Sequence, residues 1–329
     1  LENIFDIQTE KQFLEMSLKT FRYQYENIEI YRKFVDFLKI DPEAVDELVK
    51  IPFLPIEMFK NHTILDKNVS ADLYFQSSGT TQMNLSRHYI ADEDIYKESI
   101  CKSFERFIGK TEGFIFLGLL PSYLERQNSS LIYMVDYLMN KSGRPENGYF
   151  LYNHSELFDL LNDLKDRKVI LFGVSFALLD FLDYCHSQRS EESLDYLENL
   201  VIIETGGMKG RKEEMTKDEL LKILQKGFKT DKIYSEYSMT ELLSQAYSLG
   251  NNEYDCPNWM RIMVRNAEDP FAYEKAGRTG AINIIDLANI HSCSFIATQD
   301  LGKILSNGRF QVLGRIDHSD IRGCSLLVS

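Results

Sequence analysis

The sequence lacks any C-x-x-C pair, and its five cysteines stand apart at positions 101, 185, 256, 293 and 324. An odd number without that spacing argues against a zinc site and a disulfide framework, and fits reduced thiols in a cytoplasm. None of the six histidines falls in an H-x-x-x-H or H-E-x-x-H spacing, so a transition-metal site is not expected. Positive charge is short: 37 Lys and Arg stand against 50 Asp and Glu, a formal −13. That balance argues against a nucleic-acid partner, though not against a nucleotide, because a small anion needs only local donors. Long apolar runs are missing too; the longest, GFIFLGLL, is far short of a membrane span. No signal peptide is expected, since Leu1-Glu2-Asn3 leads into mixed polar sequence. What is present is a chain of 329 residues, 44% hydrophobic and 26% charged, long enough to bury a sizeable core. A soluble, cytoplasmic protein is the expectation.

The first seventy residues carry helical spacing. In EKQFLEMSLKTFRYQYE the apolar positions are Phe13, Leu14, Leu18, Phe21 and Tyr25, and IEIYRKFVDFLKI repeats the pattern. DPEAVDELVK, with Asp as cap and Pro at the first helical position, predicts a further helix. From about Leu73 short apolar runs alternate with helical patterns: GFIFLGLL then SSLIYMVDYLM, KVILFGV then SFALLDFLDYC, NLVIIETGG then KDELLKILQKGF, DKIYSEY then SMTELLSQAYS. Such alternation predicts βαβ units and a partly parallel sheet. After Trp259 the helical patterns stop, and WMRIMVR, GAINIIDL and RFQVLGRID read as strands. The expected fold is α/β. It has a helical N-terminal region over 1–72, an α/β core with flanking helices over 73–258 and a β-rich C-terminal region over 259–329.

Ligands of open parallel sheets collect at the carboxyl ends of strands, and three loops there are chemically suggestive. Ser77-Ser78-Gly79-Thr80-Thr81 offers N–H groups and hydroxyls to phosphate oxygens, or forms a solvated turn. It is no Walker A loop, because no lysine follows Gly79 at that spacing. Gly206-Gly207-Met208 leaves the run VIIE, where two glycines admit a flat ligand or make a tight turn. In Tyr237-Ser238-Met239-Thr240-Glu241, Tyr offers a stacking face, Thr a hydroxyl and Glu a hard oxygen for magnesium; S-x-x-E is equally a helix capping box.

Taken in order, these loops resemble the adenylate-forming superfamily of acyl-CoA synthetases, luciferase and adenylation domains. The hydroxyl loop is similar to the phosphate loop [ST]-S-G-T-T/S-G, Gly206-Gly207 to the adenine-side glycine pair, and Tyr237 to Glu241 to the Y-G-x-T-E box with Ser for Gly. FIATQDLG resembles Y-x-T-G-D-L, and GRIDHSDIRGC resembles the hinge segment. PSYLERQNSSLIYMV points to the branch of phenylacetate-CoA-ligase-type enzymes and bacterial acyl-protein synthetases. The resemblance runs from about Tyr74 onward. It implies ATP-dependent activation of a fatty or aromatic carboxylic acid to acyl-AMP with Mg²⁺. Ser77–Thr81 and Thr240 would then hold phosphate oxygens, Glu241 the metal, and Tyr237, Gly206, Gly207 and Met208 the adenine side. Asp300 and Arg315 would hold the ribose, with Asp317 at the hinge.

Two departures from the pattern bear on activity. The trailing Lys of the phosphate loop is missing, with Ser86 and Arg87 nearby, and the chain ends soon after RGC, so the family's small C-terminal domain is expected to be absent. Acyl-protein synthetases carry their acyl group on a cysteine near the C-terminus, which makes Cys324 the candidate nucleophile, or else a buried structural thiol. The acceptor thiol would be Cys324, a partner protein's or that of CoA. Phe116, Tyr123 and Phe176 fit an acyl pocket or a core. Two rivals stand beside this reading. One is a non-catalytic nucleotide or acyl binder. The other is a serine hydrolase with Ser175 in G-V-S-F-A as nucleophile and His291 or His318 as base.

Overall fold

The computed structural model describes residues 3–77, 85–120, 128–187, 198–206 and 215–316. The chain divides into two compact units, Leu1–Ser70 with Asn258–Ser329, and Ala71–Pro257.

The chain starts in the first unit with helices α1 (Glu10–Asn27) and α2 (Glu29–Phe37). Thr9 caps α1 with Gln12 in a reciprocal capping box, as the sequence around it allows. A two-residue strand β1 (Leu54–Pro55) and a single-turn helix α3 (Met58–Asn61) come next. The helix expected in DPEAVDELVK does not form. Asp41 caps Pro42–Ala44 as predicted, but the segment breaks into 3-10 turns at Pro42–Ala44 and Leu48–Lys50. Val45, extended between them and 1% exposed, turns inward at the break. A tertiary contact overrides a local propensity here.

The second unit opens with the antiparallel pair β2 (Leu73–Gln76) and β3 (Arg87–Ile90), then α4 (Glu93–Phe107). The predicted alternation comes after it: β4 (Ile115–Leu119), α5 (Ser130–Ser142), β5 (Gly148–Tyr149), α6 (His154–Asp163), β6 (Val169–Gly173), α7 (Ser175–Ser187), β7 (Leu200–Glu204), α8 (Lys217–Phe228) and β8 (Ile233–Tyr237). Of these, β5 and α6 are a strand and a helix that the sequence patterns had not indicated. Strands β8-β7-β6-β4-β5 are parallel, and β9 (Ala246–Ser248) and β10 (Tyr254–Asp255) extend the β8 edge antiparallel. Strands β4, β6 and β7 are buried throughout, as continuous apolar runs in a covered parallel sheet should be. Phe116 stacks on Phe172 with ring centroids 6.3 Å apart and meets Phe104 at 5.4 Å. Phe116 and Phe176 are core residues; Tyr123 lies outside the described residues.

The chain returns to the first unit with β11 (Met260–Arg265), β12 (Gly280–Asp286), β13 (Phe295–Ile304) and β14 (Phe310–Arg315), an antiparallel run in that order. Strand β1 pairs parallel with β13. Phe21 of α1, Tyr31 of α2 and Phe295 of β13 form one aromatic core, with Tyr31 and Phe295 stacked at 6.1 Å. Gln24, fully buried, fixes α1 to the loop before β13. Its Nε2 donates to the carbonyls of Asn289 and Ile290 and to Ser294 Oγ, and its Oε1 accepts from Ser294 N. Among the described residues, no helix is long and apolar enough to cross a membrane.

Candidate active site

In the second unit, the site is organised by the β2–β3 pair. Its strands carry the hydroxyl loop between them and are locked at the loop's base. Ser77 N donates to the carbonyl of Ser86 at 3.1 Å, and Ser86 N donates back to Ser77 Oγ at 3.0 Å. Ser78, Gly79, Thr80 and Thr81 lie outside the described residues. From this base two side chains reach the Tyr237–Glu241 segment. Ser86 Oγ donates to Glu241 Oε1, and His88 Nδ1 lies 2.9 Å from the carbonyl oxygen of Thr240. Ser86, His88 and Glu241 are all deeply buried, at 1%, 0% and 6% exposure.

The segment does not open a helix. Leu242 N bonds to the carbonyl of Met239 in a tight turn, and the chain runs on into β9. The helix expected from S-x-x-E is therefore corrected, and with it the capping-box explanation of Ser238 and Glu241. The cause lies in the next four residues. Leu242, Leu243, Ser244 and Gln245 are all buried, a pattern that no amphipathic surface helix shows. Tyr237, at the end of β8, is 9% exposed and packs edge-on against Tyr254 at 6.0 Å.

The exit of β7 holds a second cluster. Glu204 is buried and accepts from Ser175 Oγ and Lys217 Nζ, while Gly206 N donates to its Oε1 at 2.8 Å. Burial alone would raise the Glu204 pKa, but Lys217 and these donors hold it below the usual carboxylate value. Burial likewise opposes the charge of Lys217, and Glu204 outweighs it, raising that amine's pKa. Gly206 adopts φ +80°, a left-handed conformation that an L side chain resists. Gly207 and Met208 lie outside the described residues. The hydroxyl of Ser175 donates to a carboxylate, and no imidazole among the described residues is bonded to it. His291, one proposed base, lies in the first unit with its Nδ1 3.5 Å from Asp66.

Within the first unit, Asp300 and Arg315 are register partners on β13 and β14, and Arg315 Nε lies 3.3 Å from Asp300 Oδ1. The fold thus pairs two residues that the motifs singled out separately. Asp317, His318 and Cys324 lie outside the described residues. Cys101, Cys185 and Cys293 are buried and Cys256 is half-buried, all four without a disulfide. No group of three or more His, Cys, Asp and Glu among the described residues forms a metal-binding cluster. One carboxylate with the remaining ligands from nucleotide phosphates and water is a common magnesium arrangement, and Glu241 is the carboxylate that the motif offers for it. Ser86 and His88 touch this segment, and no motif assigned them a role. The sequence marked Ser86 only as standing near the loop, and His88 only as part of the run RHYI.

Comparison with known proteins agrees with this architecture. Residues 4–109 match the family model of LuxE, the acyl-protein synthetases. No curated protein matches the sequence. The structure resembles an open conformation of 2-hydroxyisobutyryl-CoA ligase in complex with 2-HIB-AMP and CoA (TM-score 0.72, 11% identity, 94% of this chain and 70% of that one). It also resembles ATP-bound MatB from Rhodopseudomonas palustris (TM-score 0.55, 15% identity, 78% of this chain and 49% of that one). A third likeness is to the luciferase-like enzyme from the nonluminescent Zophobas morio mealworm (TM-score 0.53, 11% identity, 85% and 62%). At these identities the likeness establishes the fold, that of the large domain of adenylate-forming enzymes. The resemblance is borne out as a likeness of fold to that superfamily and of sequence to acyl-protein synthetases, the latter over residues 4–109 and so mostly ahead of the motifs that begin at Tyr74.

Proposed function

We propose, from a LuxE-type sequence on an adenylate-forming fold, that this protein activates a carboxylic acid with ATP, giving acyl-AMP and pyrophosphate. One observation carries the reading. Ser86 and His88, at the base of the hydroxyl loop, bond to Glu241 and Thr240 across 155 and 152 residues of sequence. A surface turn and a helix cap have no reason to be joined through buried side chains, whereas a phosphate cradle and its metal-holding carboxylate do.

In the reaction, a carboxylate oxygen attacks the α-phosphorus of ATP as the bond to the bridging oxygen breaks and pyrophosphate departs with the electron pair. Both reactants are anions, so catalysis rests on positioning and on donors aimed at developing charge. Ser77, Ser78, Gly79, Thr80, Thr81 and Thr240 hold phosphate oxygens in this reading. Tyr237 with Gly206, Gly207 and Met208 holds adenine, and Asp300 with Arg315 the ribose. Magnesium, held by Glu241, supplies charge neutralisation when bound with the phosphates. The acid is a fatty or aromatic one, and the acyl group passes to a thiol, that of Cys324 foremost.

The test is acid-dependent ATP–pyrophosphate exchange, surveyed over acids of different length and aromaticity. Exchange is expected with a subset of acids, and Glu241→Gln should lower it at least about a hundredfold, as loss of a transition-state contact does. Acylated protein should release its added mass to hydroxylamine, and Cys324→Ser should lose that mass while keeping exchange. ATP binding without exchange for any acid would instead favour a non-catalytic nucleotide binder of the same fold.

A further inference from the structure

The first unit contains a cavity of about 680 Å³ that none of the residues assigned above lines. Its walls come from the turns after α2 and from the face of β13 that carries Ala297 and Gln299. Phe34, Leu38, Val45 and Phe53 make one side apolar. A space of this size, apolar with a few polar groups at one end, has the dimensions of a small-molecule site.

The polar end is dominated by Arg265, the last residue of β11. Its Nη1 donates to the carbonyl of Ile282 at 2.9 Å and to Asn283 Oδ1 at 2.7 Å, and its Nη2 donates to the carbonyl of Thr298 at 2.8 Å. These bonds occupy three of the five guanidinium N–H donors. They also clamp the group across β12 and β13, so its remaining donors point from a fixed fork. No carboxylate among the described residues stands within ion-pair distance of it. Glu57 also lines the cavity, and its charge acts favourably on Arg265 from beyond ion-pair distance while its Oε1 accepts from the Gln299 amide. Tyr273 and Asn283 stand nearby, the phenol 3.5 Å from Asn283 Nδ2. A half-buried cation without an ion pair is costly, and here it faces an apolar chamber.

We propose that this cavity binds an amphipathic carboxylate, its carboxyl group on the free N–H donors of Arg265 and its hydrocarbon tail along Phe34, Leu38 and Val45. The chemistry disfavours neutral amphiphiles, which leave the guanidinium unpaired. The site is independent of the nucleotide reading, because no group assigned to ATP takes part in it.

The experiment is calorimetry on the full chain without ATP, with decanoate and 1-decanol below their aggregation limits. Decanoate should bind about tenfold or more tightly than 1-decanol, the difference a charge-assisted fork makes. Arg265→Gln should reduce decanoate to the level of the alcohol and leave the alcohol unchanged. Ala297→Phe, which places a ring on the cavity floor at a strand position that accepts aromatics, should weaken both ligands about tenfold or more. If Arg265→Gln does not fold, the acid–alcohol comparison and Ala297→Phe still decide. Equal binding of acid and alcohol, decanoate binding that survives Ala297→Phe, or no binding at all would overturn the proposal. Since no nucleotide is present, failure here leaves the exchange assay, and the reading it tests, untouched.

Discussion

Glu236 sits one residue before the candidate adenine-side Tyr237, 7% exposed, and its Oε1 finds no hydrogen-bond partner among the described residues. Burial pushes its pKa up to about 7, and Glu204 adds to the rise while Ser238 and Lys217 oppose it. The folded state therefore holds a proton that the unfolded chain releases above its ordinary value of 4.5. For a raised acid the stabilising contribution is complete below that value. It is lost as pH climbs to about 7 and stays lost above. Glu236→Gln keeps the shape and removes the titration. Urea unfolding should show the wild type losing up to about 3 kcal/mol relative to this variant between pH 4.5 and pH 7. Parallel curves for the two proteins would mean that Glu236 stays ionised, with its charge met by groups not yet identified.

Lys217 is the first residue of α8, a place where the helix dipole disfavours a cation. Its presence there is explained by Glu204 at the end of β7, to which it bonds; strand exit and helix entry are thus joined by one ion pair. Lys217→Met should cost about 3–5 kcal/mol, because it strands a buried carboxylate. Adding Glu204→Gln should recover much of that loss, since a neutral amide needs no counter-charge. Thermal melts of the single and double variants read this directly, and additive losses would show that the pair is not coupled. At this scale the sequence was most legible. The alternation from Ile115 to Tyr237 gave β4, β6, β7, β8 and helices α5, α7 and α8 nearly at their boundaries, because each element's pattern is local, but passed over β5 and α6. Illegible were the elements whose form is set by distant partners. DPEAVDELVK has good helical signals and breaks where Val45 turns inward, and SMTELLSQAYS has a capping box yet becomes a turn and a strand because Leu242 to Gln245 are all buried. The motifs named Thr240 and Glu241, whereas Ser86 and His88 contribute only through the pairing of β2 with β3 and its reach to that turn. Their place beside the hydroxyl loop is the one mark their own neighbourhood gives them.

Over the whole chain, the first unit is built from the two ends of the sequence and the second from its middle. Sequence patterns indicated three consecutive regions; that the first and last of them share one core depends on contacts no local pattern encodes. Gln24 shows the cost of breaking such a contact. Gln24→Leu would leave Ser294 N and the carbonyls of Asn289 and Ile290 without their partner inside the core, for a loss of about 3 kcal/mol or more. Trp259, the chain's one tryptophan, packs on Phe5 at 4.8 Å in the same unit, so its fluorescence should report that loss as an earlier unfolding transition. An unchanged midpoint would show that the first unit does not rely on this bond. The same contact joins residues 270 apart, which matters before the protein is finished. At roughly 5–20 residues per second, the ribosome delivers Ser294 some 15–50 s after Gln24. During that interval Phe21 and Tyr31 have no Phe295 to cover them. The newborn N-terminal helices are thus the segment that most needs a chaperone's shelter, and slowed elongation anywhere in the middle of the message prolongs that exposure.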